Sequence, residues 1–267
     1  MAGAKSKQDG GTGTYTEITG TKLELTLAAE RVFAEQGLNG ATLRQIREMA
    51  GQKNESVIHY HFGSREAIIE SILHLRARVL DGERLKYVQQ VRERNNGVPL
   101  SSEQLSRCCL MPLAHYVLDN SEPGYYMRFL LQLRVDRTAW RRVSGLHDLG
   151  LMECIREMRR AKPNIPVTIL NQRFLGMLNM HLSGMAAIEH IIETTGDAFR
   201  PEEGWIRVED MIATGAAIFD APMSPAVING IQRADARQPL AGYKEVGIVH
   251  EPDHNVVPLA QLDDSRD

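Results

Sequence analysis

The segment from Thr42 to Arg65, TLRQIREMAGQKNESVIHYHFGSR, restricts this chain more than any other feature of it. Thr42 suits an N-cap and Gln45, three positions on, completes a capping box, so a helix starts here with Leu43, Ile46 and Met49 with Ala50 on one face. Gly51 ends that helix, and Gln52, Lys53 and Asn54 form a turn. Glu55 to Phe62 make a second helix, too short to persist without packing against neighbours. Val57, Ile58 and Phe62 provide the packing face, which leaves Asn54, Ser56, His59 and Tyr60 to point outward. Gly63 then stops this helix and Ser64 caps the next, which begins Arg65-Glu66-Ala67-Ile68. Two short helices about a glycine-bearing turn are the layout of a helix-turn-helix, whose second helix offers its outer side chains to a DNA major groove.

The surrounding residues sharpen that expectation. Ala28-Ala29 and Val32-Phe33-Ala34-Glu35-Gln36-Gly37 in the preceding helix, Thr42 with Ile46, Ala50-Gly51, and Tyr60-His61-Phe62-Gly63-Ser64-Arg65-Glu66 occur together over about fifty positions. From Leu25 to about Leu73 the chain resembles the DNA-binding domain of the TetR family of bacterial one-component transcription regulators. It departs from the family pattern in a turn one residue longer after Gly51, in His59 where tyrosine is usual, and in Arg47 where a small residue is usual. The resemblance implies a homodimer on an inverted-repeat, double-stranded operator. In such a complex Asn54, Ser56 and His59 read base edges, Thr42, Tyr60 and Arg65 hold phosphates, and Arg44 and Lys53 serve either purpose.

At 267 residues the chain exceeds one typical domain and can bury a sizeable core. No apolar run approaches the roughly 18 residues that a membrane span needs, and the first twenty residues lack the apolar stretch of a signal peptide. The expectation is a cytoplasmic protein with no membrane partner. Cys108, Cys109 and Cys154 have no CxxC spacing and form no even set, so they read as small buried hydrophobes rather than a disulfide framework or a zinc site. A net charge of −3 and a pI near 6.3 do not describe a protein that coats nucleic acid indiscriminately.

Along the chain, residues 1–20 are rich in Gly, Thr, Ser and Lys without apolar period and read as a disordered arm, with Lys5 and Lys7 available to phosphates or simply solvated. Residues 21–70 form the helix-turn-helix domain, in which Leu25, Ala29, Val32 and Phe33 turn an apolar stripe inward. A helix from Arg65 continues towards Asn95-Asn96-Gly97 and links the domain to residues 71–224. There, helices are predicted over Ser102–Leu118, with Pro112 a possible break, Tyr125–Arg137, Leu146–Arg160, Val167–Thr194 and Trp205–Phe219. Residues 225–267 read as a mostly irregular tail. No segment alternates at period two over strand length, so the fold is expected to be all-α.

Phe174, Met177, Leu178, His181, Leu182, Met185, Ile188 and Ile192 form a broad apolar surface, with Gly176 and Gly184 allowing close approach. Met211, Ile212, Gly215, Ala216 and Phe219 do likewise on the next helix. This predicts either a subunit interface built as a four-helix bundle or the protomer's own core. Phe129, Trp140, Met177 and His181 suit the wall of a cavity for a small apolar or acyl-type effector, and equally a packed interior. His59 and His61 are spaced i, i+2 and do not pair for a metal, no HExxH occurs, and Ser144 and Ser183 lack a nucleophile elbow. The expectation is therefore a ligand-responsive transcription regulator, a repressor, without enzymatic activity, cofactor or metal. The rival is a helical small-molecule-binding or catalytic protein in which the helix-turn-helix is only scaffold.

Overall fold

The computed structural model describes residues 18–120, 124–136, 139 and 149–233. These form α1 (Gly20–Gly40), α2 (Leu43–Met49), α3 (Val57–Phe62), α4 (Arg65–Arg94), α5 (Ser102–Leu118), α6 (Tyr126–Val135), α7 (Leu149–Ala161), α8 (Val167–Thr195), α9 (Pro201–Asp220) and α10 (Pro225–Arg233). No strand occurs among the described residues, and the fold is all-α: three amino-terminal helices carrying the helix-turn-helix, followed by further helices. Lys5, Lys7, Trp140 and residues 234–267 lie outside the described residues.

Several helix ends differ from expectation for local reasons. α5 runs unbroken through Pro112, and its start is fixed by a capping box between Ser101 and Gln104. α9 begins four residues before Trp205 because Pro201 occupies the first turn, where its missing N–H costs nothing, and Glu202 and Glu203 follow at the positive end of the helix. The stretch after Pro222, expected to be mostly irregular, starts with a helix over Pro225–Arg233, in which Val227 and Ile228 are exposed.

The interior divides into two packed clusters. One runs without interruption from Leu25, Val32, Phe33, Ile46, Ile68 and Ile72 around the helix-turn-helix to Leu110, Tyr126, Phe129, Met185 and Ile188. Its seam is α1 against α6, where the rings of Phe33 and Phe129 lie 6.2 Å apart. The other gathers Cys108, Cys109, Cys154, Met158, Phe174, Met177 and Phe219, and all three cysteines are free and buried.

Between the alternatives left open for the late helices, the apolar residues named on them take the packed interior. Phe174, Met177, His181, Leu182, Met185 and Ile188 on α8, with Ile212, Gly215 and Phe219 on α9, are enclosed within the protomer. Gly184 is likewise taken up by Met211 of α9, and Gly215 by Ser106 and Met177. Phe129 and Met177 fall in different clusters, so they share no common wall, and the buried His181 ring meets Ser106 Oγ at 3.2 Å. Side chains that stagger apolar residues at helical spacing serve a core or an interface alike, and here the core takes them.

Buried carboxylates join the helices. Asp81 on α4 accepts from the N–H groups of Gly150 at 2.8 Å and Leu151 at 3.1 Å, capping the start of α7. Gly150 is there because a Cβ would stand 2.5 Å from Asp81 O and 2.7 Å from Leu85 N. Glu189 on α8 performs the same service for α6, accepting from Met127 N and Arg128 N, each at 3.1 Å. Burial pushes the Glu189 carboxyl up to about 7, against its two backbone bonds, and burial brings His181 down to about 4.

Two outcomes follow from this packing. Gly150→Ala should destabilise by about 1–3 kcal/mol through backbone overlap, while Gly82→Ala on the same helix pair, with open space at its Cβ, should stabilise by about 0.5–1 kcal/mol in urea denaturation. Between an ordinary glutamate value of 4.5 and about 7 the folded state binds more protons through Glu189, so stability falls as pH rises. His181 acts oppositely between about 4 and 6.5, where the unfolded chain binds more protons and stability rises with pH. Glu189→Gln should leave the His181 slope unopposed, adding at most about 1.4 kcal/mol per pH unit to the rise; parallel profiles for variant and parent would count against it.

Candidate nucleic-acid interface

α2 starts as its sequence dictates. Thr42 Oγ1 accepts from Gln45 N at 3.2 Å, Gln45 Oε1 accepts from Thr42 N at 2.8 Å, and the Thr42 hydroxyl donates to the same Oε1 at 2.7 Å. Ile46 is fully buried beneath it, a contact worth about 1.5–3 kcal/mol. Leu43 and Met49, expected on the same inner face, are instead 42% and 45% exposed, because a seven-residue helix has room for one fully enclosed apolar position against α1. Gly51 adopts φ 67°, a left-handed conformation that turns the chain out of α2.

The turn is longer than its neighbours suggest, and it consumes the start of the second helix. Asn54 Oδ1 accepts from Ser56 N at 3.0 Å, so α3 begins at Val57 rather than Glu55. Val57 and Ile58 are buried, while Ser56, His59 and Tyr60 are exposed, Tyr60 at 83%. Tyr60 and His61 meet edge to face at 5.0 Å. Gln52 Nε2 donates to Glu24 on α1 at 2.8 Å and anchors the turn from behind. Arg47, whose side chain is mostly covered, lies 3.5 Å from Glu55 and braces α2 against the residues leading into α3. Neither link was foreseen; the unusual arginine after Ile46 was the signal, since a long side chain there must find a partner across the turn.

The structure brings Thr42, Arg44, Lys53, Asn54, Ser56, His59 and Tyr60 to the exposed surface of the motif. Arg44 stands on the outer side of α2 and pairs with Glu48 at 2.7 Å. Arg65 does not join them, and its expected place on a phosphate is corrected. Its Nη2 donates to the carbonyls of Leu38 and, at 2.5 Å, Ala41, and its guanidinium lies 5.2 Å from the Phe33 ring centre. Gly37, at φ 75°, breaks α1 and leaves the corner before α2 short of helical donors. Arg65 supplies them from the first turn of α4, so it is a positioning residue.

Arg65→Ala should accordingly lower thermal stability and weaken all DNA binding together, with an unchanged slope of affinity against salt. Arg65→Lys should not restore it, because one ammonium lacks the planar donor fork that serves two carbonyls and stacks on a ring. A variant as stable as the parent, with a salt slope reduced by about one unit, would return Arg65 to the phosphates.

Among the described residues no helix is long and apolar enough to cross a membrane, and no group of three or more His, Cys, Asp or Glu side chains is placed to hold a metal ion. No curated protein matches the chain. Residues 25–72 match the model of the bacterial regulatory proteins of the tetR family, which spans α1 to the first turns of α4 and so the whole helix-turn-helix just described. The amino-terminal domain of the chain is therefore the DNA-binding helix-turn-helix domain of the tetR-family regulators.

Proposed function

We propose that the protein is a homodimeric repressor that occupies an inverted-repeat operator and is released from it by a small, largely apolar molecule. The observation that carries the DNA reading is the outward edge of α3, where Ser56, His59 and Tyr60 stand exposed while Val57 and Ile58 are buried behind them. In this reading His59 and Ser56 meet base edges. Asn54 keeps its amide N–H groups for a base while its oxygen accepts from Ser56 N in the turn before α3. Tyr60 and Lys53 hold phosphates, Arg44 does so by exchanging Glu48 for DNA, and Thr42 by turning its hydroxyl away from Gln45.

Support for two copies comes from the surface that α8 and α9 leave uncovered. Gly176, Ser183 and Ala187 on α8 and Ala213, Thr214 and Ala217 on α9 are exposed and small, and Ile206 beside them is 69% exposed. Small side chains let helices from a second subunit approach closely, and a helix-turn-helix dimer spans two half-sites one DNA turn apart. We divide the chain accordingly into a reading head over 21–70, a body over 71–224 for effector binding and pairing, and flanking segments with no catalytic role. The body is coupled to the head through α4 and through the α1–α6 seam.

Selection of genomic fragments by the full chain should return an inverted repeat with half-sites about 34–36 Å apart or a multiple of it. His59→Ala should relax sequence preference and cost about 1–3 kcal/mol on the best site, whereas Lys53→Ala should weaken all sites alike and flatten the salt slope by roughly one unit. A single asymmetric half-site together with a monomeric mass by sedimentation would rule out the paired reading.

A further inference from the structure

The Glu55 side chain is 90% exposed and stands between Asn54 and Ser56, at the entry to α3. A carboxylate there is unfavourable on electrostatic grounds, because every negative charge weakens a surface that docks on a phosphate polyanion. Arg47 meets that charge. Its Nη1 lies 3.5 Å from Glu55 Oε1 and its Nη2 3.8 Å from Glu48, which Arg44 holds at 2.7 Å from the other side. Arg47 Nε is buried without a hydrogen-bond partner, so the two carboxylates place this guanidinium and the domain behind it does not. At 3.5 Å the contact with Glu55 is an ion pair longer than a hydrogen bond, which leaves the carboxylate oxygens free to accept.

The groups beside Glu55 are of the opposite kind. Asn54 turns its oxygen to Ser56 N at 3.0 Å and presents N–H groups outward, and Lys53 offers an ammonium. Ser56, His59 and Tyr60 can donate or accept. Among the exposed side chains of residues 53–60, Glu55 alone accepts without donating. In the major groove the base donors are the amino groups N4 of cytosine and N6 of adenine, and an acceptor can address nothing else there. The neighbour decides between them. A G·C pair shows two acceptors on guanine and then the cytosine amino group, while Asn54 beside Glu55 shows donors and then an acceptor. An A·T pair sets its amino group between two acceptors and adds the thymine methyl, an apolar group that a carboxylate does not match.

We propose that Glu55 is a specificity-determining residue: it accepts from the N4 amino group of a cytosine in the operator half-site, while Arg47 positions it and offsets its charge. The proposal rests on the DNA reading of α3 given above and adds to it a base and the residue that selects it. Glu55 lowers affinity for DNA at large and raises it for one base pair, so its effect is discrimination.

The test is selection of duplexes from a random library by the full chain and by Glu55→Ala, followed by titration of both proteins with the parent's best duplex. The parent should return cytosine at one position of the half-site, and Glu55→Ala should lose that preference alone, the remaining positions serving as the control for folding. Glu55→Ala should bind the best duplex about 5- to 100-fold more weakly, although it carries one negative charge fewer. N4-methylcytosine still pairs with guanine but puts a methyl where the groove-facing N–H was. Placed at the selected position, it should weaken the parent by at least about 10-fold and Glu55→Ala by less than about 2-fold. A carboxylate that merely repels DNA gives the opposite results: Glu55→Ala binds every duplex more tightly, selects the same sequence and responds to the methyl group as the parent does. Any one of these three overturns the proposal, as does a preference lost at a base other than cytosine, and each leaves sequence-specific binding intact. A chain that selects no sequence at all overturns the operator reading and this proposal with it.

Discussion

Phe33 stands where the halves of the molecule meet. Its ring is fully buried, with Phe129 of α6 6.2 Å away and the Arg65 guanidinium 5.2 Å from its centre. One aromatic side chain thus fixes the pose of α1 against the body and, through Arg65, the pose of α4 and the corner that precedes α2. The reading helix is held by very little of its own: six residues, two buried side chains and a turn anchored on Glu24. Its orientation follows from α1, α4 and the turn before it rather than from packing of its own.

Carboxylates removed from water do the rest of the joining. Glu30 pairs with Arg76 across α1 and α4, Asp81 ties α4 to α7, and Glu189 ties α8 to α6. Burial raises the Glu30 carboxyl above its usual range while the Arg76 bonds work against that rise. A buried charge with a partner contributes little net stability compared with an apolar pair of the same shape, but losing one partner is costly. Such bridges favour one arrangement of helices over near alternatives.

Much of this could be read along the chain because the signals were local. The Thr42–Gln45 box, the glycines at 51 and 63 and the long run from Arg65 each depend on residues within a turn of one another. Arg65 was misread for the opposite reason: its partners, Leu38 and Ala41, are main-chain carbonyls, which leave no mark in the residue pattern. The same holds for α8, whose apolar stripe was legible while its destination was not, since hydrophobicity specifies that a face is covered and says nothing about which neighbour covers it.

The uninterrupted core from Leu25 to Ile188 bears on how this regulator can be re-engineered. Reading heads are attractive parts to exchange between regulators, and the end of the matched segment at residue 72 looks like a natural seam. Cutting there would strip Phe33 of Phe129 and Glu30 of Arg76, leaving an apolar face and a lone buried carboxylate on the transplanted piece. A working hybrid has to carry the facing side of α6 and the first four turns of α4, through Arg76, with the head. The transferable unit is therefore defined by what α1 rests on and not by the length of the motif.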